Sequence, residues 1–336
     1  MIILFYINSP TTYQIDFFKE LKKKNEVFVV YKNFLSENNN LKLKKLSWMI
    51  FPKKINDLFF DKLIKKIKPE LLIIGGYKLK INDSIIKKND IKKFYWLERV
   101  NNQNKYKKII ISWYLKLKLK NANGIFAIGQ EATKYYKKYN NNVFNIPYSI
   151  NKQRKTRIVD IPRFLYVGQF IQRKGINELI KSIYNIDTLN CNFTFVGEGP
   201  LKKEIIKLSK KKLNINCLKF KNKNELNHLY NKSNILILPS NYDGWGVVLI
   251  EAMARGMAII TNINVGAGNE YIKHNYNGRI FCNKDYSLAK EINFYMKNDK
   301  KIKQFGKRNR VLFQKSLCNT SNVVKKINKI LKINIL

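Results

Sequence analysis

The chain has 336 residues, 45% of them hydrophobic, and a formal net charge of +42. This length suits two domains better than one, and the longest uncharged apolar stretches, such as 109–115, are far shorter than the roughly 20 residues that a membrane-spanning helix needs. The charge suggests nucleic acid as a partner, but only nine of the 65 basic residues are arginine, the residue preferred for recognising bases and phosphates. We therefore expect no nucleic-acid partner. A compositional bias toward Lys, Asn, Ile, Phe and Tyr can explain most of the charge, and attraction to anionic lipid surfaces is the functional alternative.

The four cysteines are widely spaced and form neither a metal-binding nor a redox motif, and the first residues lack the basic segment of a signal peptide. A cytoplasmic location is therefore expected. The basic and aromatic stretches 41–54 and 105–120 add a further hypothesis, peripheral attachment to the inner face of the cytoplasmic membrane. In the first stretch Trp48 and Phe51 would enter the lipid headgroups, and ordinary core packing is the alternative.

Residues 1–150 alternate short apolar runs with helical patterns, which predicts a parallel α/β sheet. No glycine-rich phosphate loop follows the first run, so a dinucleotide site is not expected there. Glu98 directly follows the apolar run 94–97 and is the ionisable candidate of this half. An ion pair with Arg99 or a nearby lysine is the alternative.

A polar, basic segment at 151–160 is interpreted as a linker. A second α/β domain then begins with a strand at 163–167, which Gly168 and Gln169 follow.

Arg173, Lys174 and Gly175 come just before a predicted helix at 177–186. Basic residues at a helix N-terminus oppose the helix dipole, an arrangement that makes sense if an anion is bound there. Chance placement of lysine in a lysine-rich chain is the alternative.

The stretch 235–261 predicts a strand, a loop, a buried helix and a second strand, at 235–238, 240–246, 247–254 and 257–261. Gly244 and Gly246 allow the loop backbone to approach a ligand closely. Gly256 fits a left-handed position just past the helix end. Because ligands of parallel sheets bind where strands lead into helices, the loop is the predicted binding loop.

Glu251 is the only acidic residue in the otherwise apolar helix 247–254. A buried carboxylate without a partner costs several kcal/mol at least, so we expect Glu251 to be paired or to bind something. Asp243 lies eight positions earlier, and two carboxylates at one loop–helix junction can accept hydrogen bonds from the hydroxyls of a sugar or a ribose. An ion pair between Glu251 and Arg255 is the alternative.

The residues around these two acids resemble the C-terminal signature of the retaining nucleotide-sugar glycosyltransferases of family 4. That signature is Glu, seven residues and Glu, around a Phe-Gly or Trp-Gly loop; here Asp243 takes the first place and Trp245 and Gly246 form the loop. The resemblance covers roughly 160–285 and is only topological before that. It implies an α/β protein of GT-B fold, with two Rossmann-like domains facing each other across a cleft.

In this fold the first domain, 1–150, would bind the acceptor, and the second, 160–317, would bind the nucleotide-sugar donor. A C-terminal helix at about 318–336 would pack back on the first domain.

The resemblance also implies roles. Arg173 and Lys174 would grip the donor diphosphate, Asp243 would bind hydroxyls of the donor sugar, and Glu251 would bind the ribose. Family members often carry Arg after the first glycine, where this chain has Gln169, and Arg173 would supply that charge. The expected donor-binding residues are Gly168, Gln169, Arg173, Lys174, Asp243, Gly244, Trp245, Gly246, Val247 and Glu251. The expected catalytic residues are Asp243, Glu251, Arg173 and Lys174, with Glu98 near the place where many family members have a histidine.

The implied reaction is sugar transfer with retention, without a covalent protein intermediate and without a metal or other cofactor. The implied acceptor is a saccharide or a lipid-linked precursor of a surface polysaccharide or lipopolysaccharide. One alternative is a non-catalytic basic protein that binds nucleic acid or anionic membrane, with strong salt dependence and no donor turnover. Another is a GT-B nucleotide-sugar epimerase, which would need its own acid–base set in a chain with two histidines.

Overall fold

The structure is a computed structural model that describes residues 1–33, 46–76, 78–79, 81–100, 105–156, 161–282 and 287–334. Its contacts divide the chain into two units. The first comprises Met1–Asn151 and Thr320–Leu336, and the second comprises Lys152–Asn319.

Within the described residues, the first unit has seven strands, most of them joined by helices. The strands are β1 (Ile2–Ile7), β2 (Glu26–Tyr31), β3 (Met49–Ile50), β4 (Leu71–Gly75), β5 (Lys92–Leu97), β6 (Gly124–Ala127) and β7 (Val143–Asn145). The helices between them are α1 (Thr12–Leu21), α2 (Asp57–Ile67), α3 (Asp83–Lys88), α4 (Lys105–Lys120) and α5 (Gln130–Tyr136).

These strands form one parallel sheet in the order β3-β2-β1-β4-β5-β6-β7. The central strands β1 and β4 are almost continuous runs of buried apolar residues, as expected where helices cover both faces of a sheet. The C-terminal helix of the chain (Thr320–Asn334) also belongs to this unit and contacts α1, near which the side chains of Asn25 and Asn328 are hydrogen-bonded at 2.9 Å.

The second unit repeats the plan with six strands. They are β8 (Arg163–Val167), β9 (Asn192–Val196), β10 (Ile215–Leu218), β11 (Ile235–Leu238), β12 (Ala258–Asn262) and β13 (Arg279–Phe281). The helices are α6 (Ile176–Tyr184), α7 (Lys202–Lys211), α8 (Lys223–Asn231), α9 (Val247–Arg255), α10 (Gly266–Tyr271), α11 (Ser287–Met296) and α12 (Asp299–Lys315), and a 3₁₀ turn (Gln172–Lys174) precedes α6. The C-terminal helix of the chain is α13.

The second sheet is also parallel, in the order β10-β9-β8-β11-β12-β13. The strand order runs outward from β8 in one direction and from β11 in the other. The gap between the ends of these two strands is therefore the switch point of the sheet, where ligands of open α/β sheets bind. The predicted α/β fold with two parallel sheets is confirmed.

The elements around the predicted binding loop form where the sequence places them. The strand occupies Ile235–Leu238 as predicted. Helix α9 ends at Arg255, and Gly256 follows it with a φ of 75°, the left-handed conformation that glycine adopts readily.

The structure contradicts part of the membrane interpretation of 41–54. Trp48 is buried and packs edge-on against Phe18, with ring centroids 5.8 Å apart, so it is a core residue. Phe51 stacks on Tyr31 at 5.1 Å. Residues 41–45 lie outside the described part of the chain, as do 157–160 of the predicted linker. No helix among the described residues combines the length and the apolar character needed to cross a bilayer.

Candidate functional site

The candidate site of the second unit is assembled from the loops that follow β8 and β11 at the switch point. Gly175 brings these loops together. It has a φ of 71°, and a Cβ atom at this position would lie 1.9 Å from the carbonyl oxygen of Pro239. Only a residue without a side chain allows this approach, so Gly175 fixes the basic turn before α6 against the loop after β11.

Hydrogen bonds also join the turn before α6 to the loop after β11. The backbone N–H of Asn241 donates to the carbonyl of Arg173 at 2.9 Å, and its side chain donates to the carbonyl of Gln172 at 3.2 Å. The Arg173 guanidinium donates to the carbonyl of Tyr242 at 2.9 Å. The predicted cationic residues therefore lie directly beside the predicted acidic loop.

An ion pair forms at this junction. The Lys174 ammonium lies 2.5 Å from Oδ2 of Asp243, and each side chain is 17% exposed. Arg173 is exposed beside them. The pair is thus shielded enough to be ordered and open enough to exchange partners with a ligand.

The backbone of Asp243 is held by the loop after β12. Its N–H donates to the carbonyl of Asn264 at 3.3 Å, and its carbonyl accepts from the N–H of Gly266 at 3.1 Å. A Cβ atom on Gly266 would lie 2.3 Å from the carbonyl oxygen of Gly244, so this contact also requires glycine. Three loops therefore fix the position of the carboxylate.

The N-terminus of α9 begins just after this acid. Gly246 caps the helix with a φ of 87°, and Val247 and Val248 in the first turn are half-buried. The first N–H groups of a helix have no partner within the helix and favour negative charge. The Trp245 ring, by contrast, is buried and packs edge-on against Tyr271, so Trp245 can offer a ligand its backbone only.

Glu251 lies one turn further along α9 and is half-buried. Its Oε2 accepts a hydrogen bond of 2.7 Å from the hydroxyl of Tyr230 in α8, a fully buried side chain. Burial raises the pKa of Glu251 above its ordinary value, and the hydrogen bond from Tyr230 and the charge of Arg255 work against this rise.

The Arg255 side chain hydrogen-bonds to groups other than the Glu251 carboxylate. Its guanidinium donates to the backbone carbonyl of Glu251 at 2.9 Å and to the side chains of Gln153 and Asn227 at 3.0 and 2.6 Å. Arg255 therefore acts on the Glu251 carboxylate through its charge, while its hydrogen bonds go to other groups.

The turn after β8 is shaped by a buried tyrosine. The Tyr166 hydroxyl donates to the carbonyl of Gln169 at 2.8 Å, which holds the backbone at Gly168 and Gln169 while the Gln169 side chain is exposed. Burial raises the pKa of Tyr166, the Asp243 charge adds to the rise, and Arg173 opposes it. Tyr166 is therefore electrostatically coupled to the charged junction.

Residues 149–312 match the model of one protein family, glycosyl transferases group 1. These 164 residues are just under half of the chain, so the likeness belongs to this segment. This match spans every candidate residue of the second unit described above.

Relatives and solved structures agree with this domain. An uncharacterized glycosyltransferase of Methanocaldococcus jannaschii is 30% identical over 212 residues, which cover 62% of this chain and 53% of that protein. The capsular polysaccharide biosynthesis glycosyltransferase CapM of Staphylococcus aureus is 28% identical over 146 residues, covering 41% of this chain and 37% of CapM. The chain thus spans about half of the Methanocaldococcus protein and less of CapM.

The fold match extends further than the sequence match. Anabaena HepE, solved in complex with UDP, superposes with a TM-score of 0.80 over 99% of this chain and 100% of HepE, at 14% identity. The same protein solved with UDP-glucose superposes with a TM-score of 0.77. These matches place the chain in the GT-B fold.

Two tyrosines of the group 1 domain were missed by the sequence reasoning. Tyr230 precedes Glu251 by 21 positions, and Tyr166 lies 77 positions before Asp243 in a strand of ordinary composition. Neither spacing corresponds to a local period. A buried hydroxyl that needs a partner is the only signal that could have drawn attention to them.

Glu98 lies in the first unit, outside the group 1 domain. It follows β5 and is exposed, and its backbone carbonyl accepts a hydrogen bond of 2.8 Å from Tyr136. Arg99 forms an ion pair with Glu131. Burial raises the pKa of Tyr148 well above its ordinary value, and the adjacent Glu98 carboxylate adds to this rise.

Among the described residues, no group of three or more His, Cys, Asp or Glu side chains is arranged to hold a metal ion.

Proposed function

We propose that the protein is a glycosyltransferase that moves a sugar from a nucleotide-diphosphate sugar to a saccharide or lipid-linked acceptor. One observation carries this proposal. At the switch point of the second sheet, Arg173 and the Lys174–Asp243 pair adjoin the N-terminus of α9. Cations and helix N–H groups suit a diphosphate, and a neighbouring carboxylate suits sugar hydroxyls.

The positive groups would stabilise the departing diphosphate. Arg173, Lys174 and the first N–H groups of α9 oppose the negative charge that develops as the sugar–phosphate bond breaks. Lys174 has three N–H donors, so it can hold Asp243 and a phosphate oxygen at the same time. These groups would make a metal cofactor unnecessary.

The two acidic residues, Asp243 and Glu251, would each bind a different part of the donor. Asp243, at the loop, would accept hydrogen bonds from the donor sugar, and Glu251, one turn into α9, would accept them from the ribose. Gly168, Gln169, Gly244, Trp245, Gly246 and Val247 would line the donor with backbone groups. Support for a nucleotide-sugar donor comes from HepE, which has the same fold and was solved with UDP and with UDP-glucose.

We also propose that transfer retains the configuration of the anomeric carbon, as in family 4. The bond between the anomeric carbon and the phosphate oxygen breaks, the acceptor oxygen bonds to the same face of that carbon, and the acceptor proton passes to the departing phosphate. Glu98 is the candidate of the first unit for contacting the acceptor. The likeness to CapM supports an acceptor in surface polysaccharide synthesis.

A thermal-shift screen of UDP, GDP, ADP and their sugar conjugates tests the donor site. A ligand far above its dissociation constant should stabilise the protein by a few kcal/mol, for example about 2.7 kcal/mol at a hundredfold excess over Kd. The shift should persist in EDTA. It should be lost in Arg173→Ala/Lys174→Ala and kept in Lys210→Ala/Lys211→Ala, a matched pair of exposed lysines at the end of α7.

The best ligand of the screen then goes into a transfer assay with lipid-linked and free saccharide acceptors, read by the release of nucleotide diphosphate and by the anomeric configuration of the product. A protein that no nucleotide or nucleotide sugar stabilises, and that binds polyanions with steep salt dependence, would instead be the non-catalytic basic protein. Conversion of the donor to an epimer without an acceptor would identify an epimerase.

A further inference from the structure

The outward face of α4 in the first unit exposes a row of large apolar side chains. Their exposed fractions are 80% for Tyr106, 68% for Ile109, 66% for Ile110, 66% for Trp113 and 55% for Leu117. Isolated exposed apolar residues are normal on a protein surface, but five on a single helix form a contiguous patch.

These five positions follow the helical period, with spacings of three, one, three and four residues. They lie on the side of α4 opposite Leu115 and Leu119, which are fully buried in the core of the first unit. The Ser112 hydroxyl also hydrogen-bonds with Tyr139 at 2.7 Å. One apolar face of α4 therefore packs against the core of the first unit, and a second apolar face is exposed to solvent.

Lysines accompany this outward face. The sequence of α4 contains six lysines and no acidic residue. Lys116 and Lys120 are exposed, whereas the Lys118 ammonium turns inward and donates to the carbonyl of Leu79 at 2.6 Å. An apolar row with a tryptophan and flanking lysines is the composition of a helix that lies in a membrane interface.

We propose that this face of α4 docks on an anionic lipid bilayer, with Trp113 and its apolar neighbours in the headgroup layer and Lys116 and Lys120 against acidic lipids. A second copy of the chain fits the face less well, because the lysines of two copies would meet. Nucleic acid fits less well because the apolar row would stay in contact with water. The proposal goes beyond the proposed transfer chemistry and does not depend on it.

Trp113 provides a direct probe. All four tryptophans of the chain lie in its described part, and Trp113 is exposed whereas Trp48, Trp96 and Trp245 are each at most 6% exposed. Insertion of α4 therefore changes the fluorescence of one tryptophan against a background of three that are already shielded.

The first experiment mixes the full chain with vesicles of phosphatidylcholine alone or of phosphatidylcholine and phosphatidylglycerol in equal parts. We expect sedimentation with the anionic vesicles, a shift of tryptophan emission to shorter wavelength, and quenching by brominated lipid. We expect binding to fall severalfold as salt is raised, because exposed charges are screened. The same quenching in Trp113→Phe should be small, although that variant should still sediment.

The second experiment compares two double variants of equal charge change. Ile110→Glu/Leu117→Glu places acids on the α4 face, and Leu189→Glu/Leu213→Glu places them at exposed positions of the second unit. We expect vesicle binding to fall at least tenfold in the first variant and to change less than twofold in the second. Thermal melts of both variants report whether the fold is kept, and brominated-lipid quenching of the unaltered chain tests the proposal without any substitution.

Several outcomes would overturn the proposal. They are equal binding to neutral and anionic vesicles, no quenching of Trp113 by brominated lipid in vesicles that the protein binds, and equal loss of binding in both double variants. A dimer in sedimentation velocity that Ile110→Glu/Leu117→Glu dissociates would assign the face to a second copy. Displacement of the protein from vesicles by RNA without a change at Trp113 would assign the binding to charge elsewhere.

Discussion

Two ion pairs of the second unit differ in what surrounds them. Arg279 and Glu291 are 7% and 5% exposed in their side chains, and the Arg279 guanidinium lies 4.0 Å from the Phe294 ring centroid. Lys174 and Asp243 are each 17% exposed and lie where strands lead into helices. The first pair is enclosed by the fold, whereas the second retains access to solvent and an exposed arginine beside it.

The difference separates a structural role from a binding role. A buried pair completes its interactions within the protein, so the loss of one partner leaves an uncompensated charge. A pair at the edge of a sheet loses much less when a partner is removed, and it can exchange partners with a ligand. We therefore expect substitutions at the two pairs to affect different measurements.

The largest expected effect concerns the enclosed pair. Glu291→Ala should lower the free energy of unfolding by roughly 3–5 kcal/mol, because it leaves Arg279 buried without its partner. Urea titration measures this loss. The double variant Arg279→Met/Glu291→Leu should recover most of the stability, and nucleotide affinity in the folded fraction should not change. A Glu291→Ala variant with native stability would show that Arg279 reaches water.

The next largest effect concerns Arg173 and the partly exposed Lys174–Asp243 ion pair. Arg173→Ala/Lys174→Ala should slow transfer by roughly 100- to 1000-fold, as when one charge-stabilising donor is lost from an active site. The free energy of unfolding should fall by about 1 kcal/mol or less, since partly exposed pairs add little stability. Single-turnover kinetics at saturating acceptor measure the first change. An unchanged rate would remove both residues from the diphosphate site.

Substitutions of Glu251 and Asp243 should affect the affinities of different ligands. Glu251→Gln should weaken the nucleotide diphosphate and the nucleotide sugar alike, by roughly 1.5–3 kcal/mol, the contribution of a hydrogen bond to a charged group. Asp243→Asn should weaken the nucleotide sugar and leave the free diphosphate nearly unchanged. Calorimetry with both ligands on both variants measures this. Equal weakening of both ligands by Asp243→Asn would contradict the division, and unfolding by Glu251→Gln without a change in affinity would make Glu251 structural.

The smallest effect concerns Tyr230. Tyr230→Phe should weaken nucleotide binding at neutral pH by about 0.5–1.5 kcal/mol, because it removes the hydroxyl that orients Glu251. That hydrogen bond also lowers the pKa of Glu251, so its removal raises the pKa further. The loss of affinity on acidification should therefore begin at higher pH in the variant. An identical pH profile would show that Tyr230 only fills space.

The contribution of Glu251 to the stability of the fold should change with pH in the direction opposite to its contribution to nucleotide binding. Because burial raises the folded-state pKa of Glu251 above the unfolded value, its contribution to stability is present at pH below the unfolded value and is lost as the pH rises through the folded value. Nucleotide binding needs the ionised carboxylate and is gained over the same rise. Opposite trends of nucleotide affinity and of stability with pH are therefore expected from Glu251, and urea titrations and calorimetry across the same pH range measure them.

The local elements could be predicted from the sequence because their signals are local. The apolar run of β11, the glycine after α9 and the acid at Glu251 each depend on neighbours a few positions away. The contacts between Lys174 and Asp243 and between Tyr230 and Glu251 join residues 69 and 21 positions apart. Helical and strand periods carry no information on contacts between residues so far apart in the sequence. The family resemblance therefore indicated the site residues, and the contacts between them became visible only in the folded structure.

Two stretches of similar composition pack differently in the fold. Trp48 and Trp113 both lie among lysines, yet the first packs against Phe18 in the core and the second is exposed on α4. Local composition is similar in the two stretches. Which side of each segment faces the sheet is decided by tertiary packing, which no property of the separate stretches reports.

The glycine contacts at the site have a consequence for the thermodynamics of binding. At Gly175 and Gly266 one loop backbone lies directly against the next, with no side chain between them that could change rotamer. Loops held in this way have little conformational freedom left to lose when a ligand arrives, so the entropy of ordering is spent during folding rather than during binding. Adding a methyl group at Gly175 would separate the loops, and the lost affinity would then appear in calorimetry as a larger entropic cost of binding.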